Sequence, residues 1–325
     1  MKMRLLTLSI LAFAAALIGG QPAAAQEWPQ RTVRLVVGYG AGGGTDLVAR
    51  IIAQALQDKL KQPFVVENKV GASGIVGADS VAKSEKDGYT LYLVNNAHVI
   101  VGVMNKTLPY DTLASFEPIG QVATGSLVIA SRPDFPAKNI KELIALAKSS
   151  PGKITFASVG NGTTQHFTGE LLMQIAGINM LHVPYRNSPA ATSGVMGKHV
   201  DLMIDTVSAV LGPVQGGDLR ALAVTGRERY PSIPDVPTAI ESGMLPDYEV
   251  TTWYGLVAPA GTPKAIVSKL NSALNEIVAD PAVVERLAKV GAVAAASTAE
   301  NFGKHLKSEF NRWGKVREAA KIEQQ

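Results

Sequence analysis

The sequence predicts an α/β protein of two units with a ligand cleft between them. Three observations carry that prediction. Apolar, strand-like runs alternate with segments of helical periodicity between residues 33 and 225. The alternation starts twice with the same device, a strand, a Gly- or Thr-rich turn and a helix, at 33–60 and again at 153–177. After residue 250 the strands give way to helices, which implies that the chain returns to the first unit. The expected division is 26–125 plus 254–325 for the first domain and 126–253 for the second. Crossing strands joining two such units suit a receptor that closes by a hinge.

The first 25 residues precede that architecture. Lys2 and Arg4 form a positive start, "LLTLSILAFAAALI" (5–18) is an uncharged apolar run, and "AAA" (23–25) supplies a small-residue cleavage site. This is the pattern of a secretory signal peptide cleaved near Ala25, and the apolar run is too short to span a bilayer. About 300 residues then remain, enough for two cores. Removing Lys2 and Arg4 halves the formal charge of +4. No Lys/Arg run or nucleic-acid motif accompanies that balance, so nucleic acid is not an expected partner. The chain has 0 Cys, which excludes disulfides, thiolate metal sites and a lipid-modified N-terminal Cys.

The elements follow in order. "VRLVV" (33–37) reads as a strand, and "LVARIIAQALQDKL" (47–60) as a helix with Leu47, Val48, Ile51, Ile52, Ala55 and Leu56 on one face. "FVVEN" (64–68) is a second strand, "GASGIVGADSVAKS" (71–84) a Gly turn and short helix, and "TLYLVNN" (90–96) a third strand. Uniformly apolar strands between helices imply a parallel sheet covered on both faces. In the second unit "NIKELIALAKSS" (139–150) is a helix, "KITFASVG" (153–160) a strand and "HFTGELLMQIAG" (166–177) a helix. Strands follow at 180–185, 201–205 and 219–225, with short helices between them. A strand at 250–259 and helices at 262–280, 281–291 and 298–322 close the chain.

The chemistry concentrates in "GYGAGGGTD" (38–46), between the first strand and its helix. Gly38, Gly40 and Gly43 satisfy the G-x-G-x-x-G spacing of a dinucleotide loop, and Glu67 stands near the place of a ribose-binding acid. Export counts against that reading, because free dinucleotides are scarce outside the cytoplasm. A phosphate loop is excluded more directly, since Gly44-Thr45 stands where Lys and Ser/Thr are required. No G-x-S-x-G or H-E-x-x-H occurs, and the His residues (98, 166, 182, 199, 305) lack metal-ligand spacing. His182 reads as a core residue, whereas His98 and His166 follow strand ends. What remains is a helix start with bare backbone amides, a cradle for a carboxylate or phosphate. "GNGTTQ" (160–165) offers a like device in the second unit. Asp46 would oppose an anion if it faced the cleft, so it is read as a residue of the first helical turn that points away.

Several phrases then carry a resemblance: "VRLVVGYGAGGGTDLVAR" (33–50), "VVENKVGASGIVGAD" (65–79), "KDGYTLYL" (86–93), "LPYD" (108–111), "HVPYR" (182–186), "GKHVDLMID" (197–205), "LRALAVTGRERYPSIPDVPTAIESG" (219–243) and "WYGLVAPAGTP" (253–263). In this order, over nearly the whole mature chain, they resemble the periplasmic solute-binding receptors of tripartite tricarboxylate transporters, the Bug family. The resemblance implies a two-domain, type II periplasmic-binding-protein fold and a small carboxylate as ligand. It implies membrane subunits of such a transporter as partners, a monomeric periplasmic protein, and no catalysis, metal or cofactor. It places Tyr39, Gly40, Ala41, Gly42, Gly43, Gly44 and Thr45 in the site. It adds Asn95, Asn96, Ala97 and His98 from the first unit, then Ser158, Asn161, Gly162, Thr163, Thr164, His166 and Asp205 from the second. A ligand sensor for a membrane kinase, and an exported dinucleotide-dependent enzyme, are the alternative functions. Two departures fall in the site. Gly38-Tyr39-Gly40-Ala41 replaces the family's Pro-Phe-Ala-Pro, and Thr206 replaces the Asn that usually follows the aspartate.

Overall fold

The computed structural model describes residues 28–319 and 322–324; the signal segment expected at 1–25 lies outside them. Ten strands and ten α-helices are found among these residues. The strands are β1 (Val33–Val37), β2 (Phe64–Asn68), β3 (Thr90–Asn95), β4 (Phe116–Ser131), β5 (Thr155–Ser158), β6 (Leu181–Pro184), β7 (Leu202–Thr206), β8 (Arg220–Val224), β9 (Thr251–Pro259) and β10 (Val293–Ala294). The helices are α1 (Gly44–Leu60), α2 (Ile75–Ala82), α3 (Asn96–Met104), α4 (Ile140–Ser149), α5 (Thr164–Ala176), α6 (Ser188–Met196), α7 (Val207–Gln215), α8 (Lys264–Ala279), α9 (Pro281–Lys289) and α10 (Ala299–Ala319).

Strand pairing divides the molecule into two lobes. In the first, β1 pairs in parallel with β2 and β3, and β9 joins β3 antiparallel. In the second, β5 pairs in parallel with β6 and β7. β4 belongs to both: its residues up to Ser126 pair with β9, and those from Leu127 onward pair with β7 and β8. The sheet is therefore mixed, not the all-parallel sheet expected from apolar runs alone. Every antiparallel pairing involves β4 or β9, the strands at which the chain passes between the lobes.

Neither β4 nor α3 stands out in the sequence. "FEPIGQVATGSLVIAS" carries Pro118, Gly120 and Gly125, which normally break a strand. The structure absorbs them in register shifts between Pro118 and Gly120 and between Gln121 and Ala123. α3 continues straight from β3; its start is marked by Asn95, whose side chain accepts from the Ala97 N–H.

The cores explain the placement of the helices. One cluster packs Val48, Ile52 and Leu56 of α1 against Leu35 of β1 and against Leu270 and Leu274 of α8. A second runs through both lobes, from Tyr92 and Phe116 to Phe156 and Phe167. α10 ties the lobes together there, because Trp313 meets Phe167 edge-on at 6.0 Å. Beneath it the buried Glu309 carboxylate accepts from both indoles, Trp253 Nε1 (3.1 Å) and Trp313 Nε1 (3.2 Å), and from Asn96 Nδ2 (3.2 Å).

Candidate functional site

A cavity of about 250 Å³ lies where the lobes meet. Every lining residue sits at or just beyond the carboxyl end of one of six strands, β1, β2, β3, β5, β6 and β7. That is where α/β sheets leave backbone polar groups free for a ligand. Helix starts consequently converge on it. α1 begins at Gly44 with Gly43 as its cap residue, and no side chain satisfies its first amides. α7 also lacks a side-chain cap, at Thr206, whose buried Oγ1 has no hydrogen-bond partner. By contrast α3, α5 and α6 are capped by Asn95, Thr163 and Asn187.

The electrostatics favour an anion. None of the lining residues is Asp or Glu, and Arg186 is their one Lys or Arg. Asp46 points away: it accepts from Arg50 Nε at 2.9 Å, Asn68 Nδ2 at 2.9 Å and the Gly42 N–H at 2.9 Å. Burial alone would raise the Asp46 pKa, but those donors outweigh it and hold the carboxyl below its ordinary range. The uncapped amides of α1 are thus separated from the acid that follows them. Glu67 pairs with Arg34 and Lys69 and is not part of the cavity wall, so the expected ribose-binding carboxylate is not presented there.

Of the residues expected in the site, Tyr39, Gly40, Gly43, Gly44, Thr45, Asn95 and Ala97 line the cavity together. Asn95 Nδ2 donates to Thr45 Oγ1 at 2.9 Å, which joins the α1 and α3 starts. Burial raises the Tyr39 pKa, so its hydroxyl stays a donor, and it donates to the Ser73 carbonyl at 3.0 Å.

The remaining expected residues are placed elsewhere. Ala41 and Gly42 are exposed, and Gly42 turns the chain at φ 80° with its N–H on Asp46. Asn96 is buried and spans from Glu309 to the Trp253 N–H. His98 packs into Phe116, centroids 4.9 Å apart, and its Nε2 donates to the Thr112 carbonyl at 2.9 Å. Burial lowers the His98 pKa to about 4.

The second-lobe loop is satisfied largely by its own bonds. Ser158 Oγ meets His182 Nε2 at 2.6 Å, and Thr163 Oγ1 donates to the Gly160 carbonyl at 2.7 Å. The Gly162 N–H donates to His166 Nδ1, and His166 also faces Glu170. The Thr164 carbonyl accepts from Thr168 Oγ1 inside the helix. None of Ser158, Asn161, Gly162, Thr163, Thr164 and His166 lines the cavity; Val159, Gly160 and Gln165 do. Asp205 lies beneath them. Its Oδ1 accepts from Gln165 Nε2 at 2.9 Å and from the Thr206 N–H at 2.7 Å. Burial raises the Asp205 pKa, partly offset by those bonds.

The sequence reading missed two stretches of the wall, Val70–Ser73 and Tyr185–Ser188, whereas Thr206, a departure already expected to fall in the site, does line it. A usable signal was present. Each follows a strand-like run, and "NSP" at 187–189 is a helix start with an Asn cap and Pro in the first turn. Among the described residues no group of three or more His, Asp or Glu is placed to hold a metal ion, and no helix is long and apolar enough to cross a membrane.

Residues 48–322 match the profile of the Tripartite tricarboxylate transporter family receptor. The chain belongs to that family. A Pseudomonas sp. (strain P51) protein from the tcbD–tcbE intergenic region is 38% identical over 289 residues, covering 89% of this chain and 86% of its own. Among solved structures, periplasmic binding protein BugD superposes with a TM-score of 0.87 at 37% identity, covering 92% of this chain and 100% of that one. R. palustris Rpa4515 with adipate gives a TM-score of 0.88 at 32% identity, covering 91% and 99%. MatC (Rpa3494) from Rhodopseudomonas palustris with bound malate gives 0.83 at 31%, covering 89% and 99%. The fold is the two-domain periplasmic-binding-protein type, and the chain is a solute-binding receptor of the Bug type, not an enzyme.

Proposed function

We propose that this receptor captures a small dicarboxylate between its lobes and delivers it to the membrane subunits of a tripartite tricarboxylate transporter. The observation that carries the reading is the acid-free cavity that pairs the uncapped start of α1 with the Arg186 guanidinium. Amides at a helix start and an unopposed guanidinium both stabilise carboxylates by charge-assisted hydrogen bonds. Adipate and malate in the related structures support two carboxylates over one. In this reading residues 28–126 and 251–319 form one domain and 127–250 the other. They close on the ligand in the periplasm, after removal of the signal segment.

The test is calorimetric titration of ligand-stripped protein with adipate, malate, succinate and matched monocarboxylates. Dicarboxylates are expected to bind more tightly than the monocarboxylates of equal length. A protein that binds none of them, in titration or in a thermal-shift screen, refutes the proposal.

A further inference from the structure

Gly71, Ala72, Ser73 and Gly74 have φ values of 155°, 45°, 54° and 99°, positive throughout. Glycine takes such angles freely, whereas Ala72 and Ser73 do so only where the surroundings hold them. The holding contacts are specific. Tyr39 donates to the Ser73 carbonyl at 3.0 Å, and Tyr92 donates to the Gly74 carbonyl at 3.3 Å. Across the cleft, Ser73 Oγ donates a hydrogen bond to the Asn161 carbonyl of the second lobe.

The position of this bridge sets it apart. Other hydrogen bonds joining the lobes run from Ser208 Oγ and Tyr230 OH to the Gly291 carbonyl, from Ser232 Oγ to the Ala288 carbonyl and from Arg312 Nη2 to the Glu249 carbonyl. None of those residues lines the ligand cavity. Ser73 does, and with Ala72 it also lines a neighbouring cavity of about 330 Å³ bounded by Asn161 and Gly162. The segment is the partition between the two spaces, at the seam of the lobes.

We propose that Ser73 is a positioning residue that couples occupancy of the cavity to closure of the lobes. The inference rests on the binding role proposed above. Tyr39 forms cavity wall and holds the strained segment through one hydrogen bond; the segment then fastens the lobes through Ser73 and Asn161. A ligand that packs against Tyr39 keeps Ser73 in its left-handed conformation and the bridge made. With Tyr39 released, the segment relaxes and the lobes part.

The chain has 0 Cys, so spin labels go cleanly onto Q54C in the first lobe and K148C in the second, both exposed. Distances are measured by double electron–electron resonance, without ligand and with adipate, for the labelled parent and for S73A, S73G, Y39F and S73A/Y39F. The parent is expected to show a closed fraction without ligand. S73A and S73G should each reduce it about fivefold, the loss of one ordinary hydrogen bond. Adipate should dissociate faster by a similar factor, and the double variant should add little to either single change.

Closed fractions and dissociation rates unchanged in S73A overturn the proposal, as does a parent with no closed fraction without ligand. Fully additive effects of S73A and Y39F also overturn it, because the two residues would then act separately. If S73G stays closed while S73A opens, backbone strain governs the seam and the bridge does not. The ligand-free distances decide the matter even if no dicarboxylate binds, which separates failure of this inference from failure of the binding assignment.

Discussion

Gly44 should be the glycine of the loop whose substitution bears most directly on closure, and the reason lies in the opposite lobe. Its backbone is helical, so an added methyl group meets no conformational penalty in the first lobe. A Cβ at this position would instead collide with Thr206 Oγ1 and stand 3.2 Å from Ser208 Cβ, both in the second lobe, and 3.2 Å from the Tyr254 hydroxyl. Overpacking of this kind costs about 1–3 kcal/mol. Most of that cost falls on the closed form, since the second-lobe partners withdraw when the cleft opens. The affinity of Gly44→Ala for a dicarboxylate should therefore fall by about 5- to 150-fold. The melting temperature of the ligand-free protein should stay close to that of the wild type. Gly43→Ala is the internal control: its backbone has φ −82° and its Cβ would lie 3.5 Å from Ser188 Oγ, an ordinary contact. Calorimetric titration of both variants, paired with thermal melts, separates closure from folding. Equal affinities for Gly44→Ala and wild type would refute the argument that the α1 start bears on the second lobe in the bound form.

Arg186→Gln should lower dicarboxylate affinity by about 10- to 150-fold, the loss of one charge-assisted hydrogen bond, with matched monocarboxylates nearly unaffected. Equal losses for both series in titration would remove Arg186 from ligand selection. Glu309→Leu strips the Trp253 and Trp313 indoles and Asn96 of a shared acceptor and should cost about 3 kcal/mol or more in urea unfolding. Glu309→Gln, which keeps an acceptor oxygen, should cost less. His98 has its pKa lowered to about 4 by burial, so the unfolded chain binds the extra proton first as pH falls. Its contribution is whole above pH 6.5 and is lost downward through that value, by about 3 kcal/mol at pH 4. Denaturant midpoints taken between pH 7 and pH 4 should fall more steeply in wild type than in His98→Gln.

The legible parts of the sequence were those with local causes. The periodic face of Val48, Ile52 and Leu56 marks α1, and the run of glycines marks a helix start on the cavity wall. The helix starts at Gly44, three residues before its periodicity predicts, because a glycine beside the cap residue Gly43 reads as loop. β4 was missed because its breakers are accommodated by pairing with β9, a strand from residue 251 onward. The site divided the same way. Side chains that cap or brace a helix start in the first lobe, such as Asn95, line the cavity. Those expected from the second-lobe loop, such as Thr163 and His166, are held off the cavity wall by their own bonds, and Asp205 of β7 lies beneath it. Arg186 and Ser73 went unnamed because nothing local distinguishes an Arg or a Ser soon after a strand end. Only the meeting of two lobes gives them a role.

The passage of β4 through both sheets also dictates an order of assembly. The second lobe draws its sheet from residues 127 to 224, whereas the first requires β9 to fill the gap between β3 and β4. A chain available for folding from its amino end, and not yet past residue 250, can finish the second lobe but must leave β3 as an open edge. The first lobe then waits on the last quarter of the chain, and α1, with the glycines that would meet the ligand, gains its α8 packing only when that quarter arrives. The binding site is thus among the last features of this receptor to exist.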